Sequence, residues 1–233
     1  MFEIFRSHGT KSSLPGAGRW RRIPWVTCLL MVAAGLAEIF PGIASRFEDL
    51  SEVCIGGTSL EFWRPITAHL AHLNFPHLLL NVAFFVPLAW LRECRRGSLE
   101  FGREFIFLAV AVAVAVRLIH PDWVTYGGFS GVIYGLLVLT VLEEDLRLKR
   151  KNTSGDEAIQ GGIRPSLISI LIVACLIIKT VVEILHGGWF FFSESLSYTL
   201  TEEYLPGSHL GGIVGGLGLL LLHYQFRRTS RPG

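Results

Sequence analysis

Residues 165–185 read PSLISILIVACLIIKTVVEIL, an apolar run interrupted by only two charged side chains, Lys179 and Glu183. The hydrocarbon core of a bilayer is crossed by roughly 20 predominantly apolar residues in a helix. Because lipid offers no hydrogen-bond partner to the backbone, such a run must be a helix rather than an isolated strand. The stretch therefore predicts a membrane-spanning helix.

Five further stretches of the chain are apolar enough, or nearly enough, to cross a bilayer. The six predicted spans are residues 23–40, 75–91, 104–119, 130–142, 165–185 and 209–226. Within the third span, residues 109–116 alternate locally as a strand does, but the surrounding apolar stretch is too long for one strand. The sequence therefore predicts an all-α membrane protein, a bundle of six transmembrane helices.

Composition agrees with burial in lipid. Hydrophobic residues make up 51% of the 233 residues and charged residues only 17%, against roughly 25% charged residues in a soluble domain. The formal net charge of +2 is small, and no basic patch is interleaved with stacking aromatic residues. The composition therefore argues against a nucleic-acid partner. It predicts instead that the protein lies in a lipid bilayer.

The distribution of positive charge predicts the orientation. With a cytoplasmic N-terminus, six spans put 17 Lys and Arg residues in cytoplasmic segments, against Arg46 and Arg64 outside. Such an excess is typical of the cytoplasmic side, so both termini are predicted to be cytoplasmic. The predicted organisation is a cytoplasmic N-terminal segment (residues 1–22), a membrane domain (residues 23–226) and a cytoplasmic tail (residues 227–233).

The fourth span opens with the segment Gly127-Gly128-Phe129-Ser130-Gly131. A serine among glycines at a helix start can be an ordinary N-cap beside small packing residues. It can also be a nucleophile at a helix N-terminus, where free N–H groups stabilise an oxyanion. Taken alone, the segment leaves both interpretations open.

The sixth span opens with Gly207-Ser208-His209-Leu210-Gly211-Gly212, and its glycines continue at four-residue spacing. Small residues at this spacing let helix backbones approach closely. A histidine there can be merely interfacial, or it can reach a serine on the neighbouring helix and act as its base. The pairing of this segment with Ser130 favours the second interpretation.

A third polar cluster comprises His69, His72, His77 and Asn81. His77 and Asn81 are four residues apart and so share a helix face, and both side chains can donate hydrogen bonds to an oxyanion. Metal binding is disfavoured, because no HExxH motif or acidic residue at ligand spacing accompanies these histidines. The four cysteines show no CxxC or metal-ligand spacing either.

In combination, these residues resemble the rhomboid intramembrane serine proteases. The resemblance rests on WRPIT at residues 63–67 followed by His72, His77 and Asn81, on GFSGVIYG at residues 128–135, and on HLGG at residues 209–212 followed by Gly216. It covers about residues 63–226, most of the chain. All three motifs occur in order and on the same side of the predicted bundle.

The resemblance implies a role for each matching residue. Ser130 corresponds to the nucleophile and His209 to the general base, while His77 and Asn81 correspond to oxyanion stabilisers. The expected active-site support comes from Gly128, which keeps the approach to the serine open, and from Gly131, Tyr134 and His72. Tyr134 corresponds to the aromatic residue that packs on the catalytic imidazole, and His72 is expected to help hold water.

The family uses a serine–histidine dyad, and no carboxylate of this sequence is predicted to be a third member. Lys179 and Glu183 form an i,i+4 pair, interpreted as paired structural charges near the outer side of the bundle. Because the dyad supplies both nucleophile and base, no cofactor and no metal are implied.

The resemblance predicts an intramembrane serine endopeptidase that is a multi-pass protein of the cell membrane. Its active site is expected to open to the extracytoplasmic side. Its substrates would be membrane-anchored proteins, cleaved in or near a transmembrane segment. The alternative is a catalytically silent relative that binds membrane clients. The rhombosortase branch, which processes C-terminal Gly-Gly sorting tails, is short like this chain and fits the WRPITAH segment, whereas Tyr134 stands where that branch is expected to have histidine.

Overall fold

The computed structural model describes residues 23–40, 63–72, 74–121, 126–152, 165–186 and 206–229. The predicted N-terminal segment and most of the short tail lie outside these residues. The described parts contain only helices, which confirms an all-α fold for them. The helices are α1 (Trp25–Ile39), α2 (Arg64–Thr67), α3 (Phe75–Arg96), α4 (Ser98–Ile119), α5 (Ser130–Asn152), α6 (Leu167–His186) and α7 (Pro206–Thr229), with a 3₁₀ turn at Ala68–Leu70 after α2.

The six long helices correspond to the six predicted spans. Residues 109–116 lie within α4, as predicted. Several helices are longer than the apolar run from which they were predicted. For example, α5 ends at Asn152 rather than at residue 142. Its added residues are mainly Leu, Glu, Lys and Arg, which favour helix as strongly as the apolar part does.

Two helices, α3 and α4, form a hairpin around one glycine. The α3 helix begins where the Asn74 side chain accepts a hydrogen bond from the His77 backbone N–H at 2.8 Å, a typical N-cap. It ends at Gly97, whose φ of +91° few other residues tolerate. The α4 helix starts at the next residue, so the chain reverses within a single left-handed position.

The carboxylate of Glu93 on α3 fixes the start of α1. Its two oxygens accept the backbone N–H groups of Val26 at 2.9 Å and Thr27 at 2.8 Å. They also accept the Thr27 hydroxyl at 2.8 Å and the Ser98 hydroxyl at 2.6 Å. A negative group at a helix N-terminus is favourable, so Glu93 joins α1, α3 and α4.

A second buried polar cluster joins α3, α4 and α5 at the end of the bundle remote from Ser130. The Arg92 guanidinium donates to the Glu104 carboxylate at 3.0 and 2.5 Å and to Glu143 at 2.7 Å. Arg96 adds contacts to both carboxylates at 3.3 and 3.4 Å. Arginine provides a planar set of donors that suits two carboxylates at once.

The apolar core lies between α3, α4 and α5. The rings of Phe85 and Phe129 stack with centroids 4.4 Å apart, and Phe105 packs edge-on against both. Phe129 immediately precedes Ser130, so the core anchors the start of α5.

Many large apolar side chains face outward, especially on α1 and α6. Within the described residues, two helices are long and apolar enough to cross a membrane by length and composition, Phe75–Arg96 and Leu167–Leu185, and Trp25–Ile39 is a shorter apolar helix. The count of six spans and the orientation of the termini stay predictions.

Candidate active site

Three helices, α3, α5 and α7, begin at the same end of the bundle. Ser130 is the first residue of α5, and the first backbone bond of that helix runs from the Ile133 N–H to the Phe129 carbonyl at 2.8 Å. The preceding N–H groups, including that of Ser130, have no acceptor within the helix. The start of α5 therefore combines the Ser130 hydroxyl with backbone N–H donors and the positive end of the helix dipole.

The α5 and α7 helices touch backbone to backbone just beside Ser130 and His209. A Cβ atom added to Gly131 would lie 2.7 Å from the Ser208 carbonyl oxygen, and one added to Gly212 would overlap the Gly131 carbonyl oxygen. Glycines at these positions permit an approach that any side chain would prevent. The neighbours of Ser130 and His209 in sequence are thus in direct contact.

The ring of Tyr134 fixes the plane of the His209 imidazole. The two rings stack with centroids 4.0 Å apart and planes 7° from parallel. Tyr134 lies four residues after Ser130, so both project from one face of α5. The imidazole, which is buried, therefore lies along the helix face that carries the Ser130 side chain.

Gly128 lies against the two predicted oxyanion donors. Its φ is +101°, a left-handed value that favours glycine. An added Cβ would lie 2.8 Å from Cε1 and 3.1 Å from Nε2 of His77, and 3.4 Å from Nδ2 of Asn81. The structure therefore brings His77 and Asn81 to the segment that leads into Ser130. Asn81 donates one amide hydrogen to the His77 carbonyl at 3.0 Å, which leaves its second amide hydrogen for another acceptor.

His72 packs beside this group. Its ring lies 5.3 Å from the ring of His77 and 5.3 Å from that of Phe129, measured between centroids. Its Nδ1 lies 3.2 Å from the Leu70 carbonyl oxygen. His72 is therefore adjacent to His77, as the predicted supporting role requires.

Two further residues hold the segment before Ser130 and were not predicted. His69 is fully buried, with Nε2 3.0 Å from the Ala109 carbonyl oxygen and Nδ1 3.2 Å from that of Gly128. The Tyr126 hydroxyl lies 3.1 Å from the Gly128 carbonyl oxygen and 3.3 Å from His69 Nδ1. The sequence placed His69 in the third polar cluster but gave it no role. Its contact with Tyr126 could not be predicted from local spacing, because the two residues lie 57 positions apart.

The i,i+4 pair of α6 also reaches the site. Lys179 Nζ donates to Glu183 Oε1, as the spacing predicted. The other oxygen, Oε2, lies 3.6 Å from His209 Nδ1. The interpretation of this pair as structural charges alone did not anticipate a carboxylate beside the predicted base. Lys179 Nζ also lies 5.3 Å from the centre of the Tyr134 ring.

In the part of the chain that the structure describes, no three His, Cys, Asp or Glu side chains cluster so as to hold a metal ion. The polar groups at the site are instead a hydroxyl, imidazoles, an amide and backbone N–H groups. Such a set suits acyl transfer by an activated serine.

Comparisons with known proteins agree with this arrangement. Residues 59–226 match the model of the Rhomboid domain family. The chain is 25% identical over 170 residues to Rhomboid-like protein 11, chloroplastic, of Arabidopsis thaliana, a match covering 71% of this chain. It spans 54% of that relative's length. The family match covers well over half of the chain, includes every residue of the site, and shows that this membrane protein belongs to the rhomboid family.

Proposed function

We propose that this protein is an intramembrane serine endopeptidase that hydrolyses peptide bonds in or near the transmembrane segments of membrane-anchored proteins. The observation that carries the proposal is the stacking of His209 on Tyr134, with Tyr134 and Ser130 on one face of α5. It supports His209 as the base for Ser130, since the imidazole is held along the face from which the hydroxyl projects.

The proposed chemistry uses these groups in turn. His209 removes the Ser130 hydroxyl proton as Oγ attacks the substrate carbonyl carbon, giving a tetrahedral intermediate. The Ser130 N–H, His77 and Asn81 stabilise the negative oxygen. His209 then gives the proton to the leaving amine, which leaves an acyl-serine. Water, deprotonated by His209, hydrolyses the acyl-serine and restores both residues.

The proposed setting is a bundle of six membrane spans with both termini in the cytoplasm. In that orientation the starts of α3, α5 and α7 face the extracytoplasmic side of the cell membrane, and the cluster of Arg92 and Arg96 faces the cytoplasm. The distribution of positive charge supports this orientation. An opening on the outer side would give the acyl-serine access to water. Processing of Gly-Gly tails, the rhombosortase activity, stays a prediction.

The test combines a serine-reactive fluorophosphonate probe with cleavage of a model membrane-anchored substrate, using protein purified in detergent. We expect labelling and cleavage by the wild type and neither by Ser130→Ala or His209→Ala. Ser169→Ala is the control, since Ser169 is a buried serine of α6 near the end of the bundle remote from Ser130. Labelling that persists in Ser130→Ala would contradict the assigned nucleophile. A folded wild type that neither reacts nor cleaves would favour the silent, client-binding relative.

A further inference from the structure

Glu183 is a fully buried carboxylate in the last turn of α6. Its Oε2 lies 3.6 Å from His209 Nδ1, and its Oε1 accepts from Lys179. Both Glu183 and His209 are almost inaccessible to solvent. A charged group inside a membrane protein is costly unless it is paired, and such groups commonly serve function.

The pair with Lys179 alone does not account for this placement. An i,i+4 ion pair is satisfied on any face of α6, and an exposed face at the membrane surface would avoid the cost of burial. The Glu183 carboxylate is instead buried against α7, where Oε2 lies 3.6 Å from His209 Nδ1. In the proposed mechanism Nδ1 is the ring nitrogen that does not face Ser130. The Tyr134 ring covers one face of the His209 imidazole.

We propose that Glu183 is a positioning residue for His209, which makes the catalytic group a Ser130–His209–Glu183 triad; this inference rests on the proposed function. A carboxylate at Nδ1 holds the imidazole in the tautomer with Nδ1 protonated, so that Nε2 is free to accept the Ser130 proton. The same negative charge stabilises the imidazolium formed during the reaction. Glu183 itself neither gains nor loses a proton.

The separation of 3.6 Å is an ion-pair distance rather than a hydrogen bond. Catalytic contacts in free enzymes are often longer than in the substrate complex. The Lys179 bond is made to Oε1 and the approach to Nδ1 by Oε2, so the proposed shortening of the Oε2–Nδ1 distance does not require the ion pair to break. Lys179 thus holds Glu183 in place while Glu183 orients the base.

Charged and titratable groups approach His209 from each neighbouring helix. Glu183 and Lys179 face it from α6, Tyr134 from α5, and His77 from α3. Glu183 is the only described carboxylate among them, so it is the group that stabilises the protonated imidazole. Removing it should make His209 harder to protonate.

The test measures the titration of His209 directly, by NMR of protein labelled with ¹³C-histidine in detergent, with the signal assigned by comparison with His209→Ala. In Glu183→Gln we expect the midpoint to move to lower pH by about one unit. Glu183→Asp keeps the charge and should stay closer to the wild type. Glu93→Gln is the matched control, because it alters another buried carboxylate that binds Thr27 and Ser98 far from His209; it should leave the midpoint unchanged.

Activity gives the second readout. We expect Glu183→Gln to cleave the model substrate about 10- to 100-fold more slowly at neutral pH, as for a misplaced catalytic group, with the acid limb of the pH profile moved to lower pH. The double variant Lys179→Met with Glu183→Met removes both charges together, and replacing a whole buried pair is often tolerated. It should remain folded and still lose activity; a folded double variant with full activity would overturn the proposal.

The two readouts separate this inference from the proposed function. An active wild type in which neither Glu183 variant moves the midpoint or the pH profile would overturn the triad and leave the protease intact. A wild type that cleaves nothing, but whose His209 midpoint moves in Glu183→Gln, would overturn the protease and leave the pairing of Glu183 with His209 standing.

Discussion

The phenol ring of Tyr134 lies flat on the imidazole of His209, with centroids 4.0 Å apart and planes 7° from parallel. This contact joins α5 to α7 near the starts of both helices. It restricts the imidazole to one plane, and the carboxylate of Glu183 approaches the edge of that plane. The orientation of the proposed base is therefore set by two helices other than its own.

Replacement of Tyr134 should separate the role of the ring from that of the hydroxyl. Tyr134→Phe retains the stacked surface, so we expect kcat within a few-fold of the wild type. Tyr134→Ala removes the surface and lets the imidazole turn, and kcat should fall by about 100-fold. Steady-state cleavage of the model substrate measures both. Equal losses in the two variants would contradict a positioning role for the ring.

The predicted oxyanion donors can be tested together. In His77→Ala and Asn81→Ala we expect kcat to fall by about 100- to 1,000-fold, because each donor stabilises charge that develops only in the transition state. KM should change little. A variant that raises KM while kcat is unchanged would place that residue in substrate binding instead.

Gly128 and Gly97 form a matched pair, since both have positive φ, +101° and +91°. A Cβ at Gly97 meets nothing within 4 Å, whereas one at Gly128 lies 2.8 Å from His77. Gly97→Ala should lower stability by roughly 1–2 kcal/mol and leave activity unchanged. Gly128→Ala should cost more stability and abolish cleavage. Thermal unfolding in detergent and substrate cleavage give the two quantities, and similar behaviour of both variants would refute the proposed contact.

The close approach of α5 and α7 predicts opposite effects at two glycines of α7. A Cβ at Gly212 overlaps the Gly131 carbonyl, while one at Gly218 finds its nearest neighbour, the Phe107 ring, at 3.8 Å. Gly212→Ala should force the helices apart and lower the unfolding temperature and the activity together. Gly218→Ala should be stabilising by about 0.5–1 kcal/mol, since alanine favours helix over glycine. A stable, active Gly212→Ala would show that the helices are not in backbone contact.

The ion cluster remote from the site should matter for stability alone. Arg92→Met removes the shortest contacts of the Glu104 and Glu143 carboxylates and leaves them the longer contacts of Arg96. We expect a loss of about 3–5 kcal/mol, as for one partner removed from a buried ion pair. The exposed pair of Arg103 with Glu100 is the control, and Arg103→Ala should change stability by less than about 1 kcal/mol. Denaturant unfolding measures both variants. Equal losses of stability in the two variants would mean that the buried cluster stabilises the fold no more than an exposed ion pair does.

The sequence by itself determined the class of fold and the identity of the motif residues. The apolar runs predicted helices, because a backbone in lipid must satisfy its own hydrogen bonds, and the described residues are helical. The glycine spacing on α7 predicted a close contact with another helix. Ser130, His209, His77 and Asn81 each lie in a short motif, and local spacing was enough to single them out. The roles of these residues stay predictions, but the structure does bring their segments together.

Only the tertiary structure decided which groups surround the proposed base. Spacing along α6 showed that Lys179 and Glu183 face each other, but not which helix they face, because a periodic pattern carries no information on the rotation of one helix against another. Likewise, the contact of Tyr126 with His69 spans 57 positions. The burial of Glu183 against His209 is a property of how α6 packs on α7, and it changes the predicted dyad into a proposed triad.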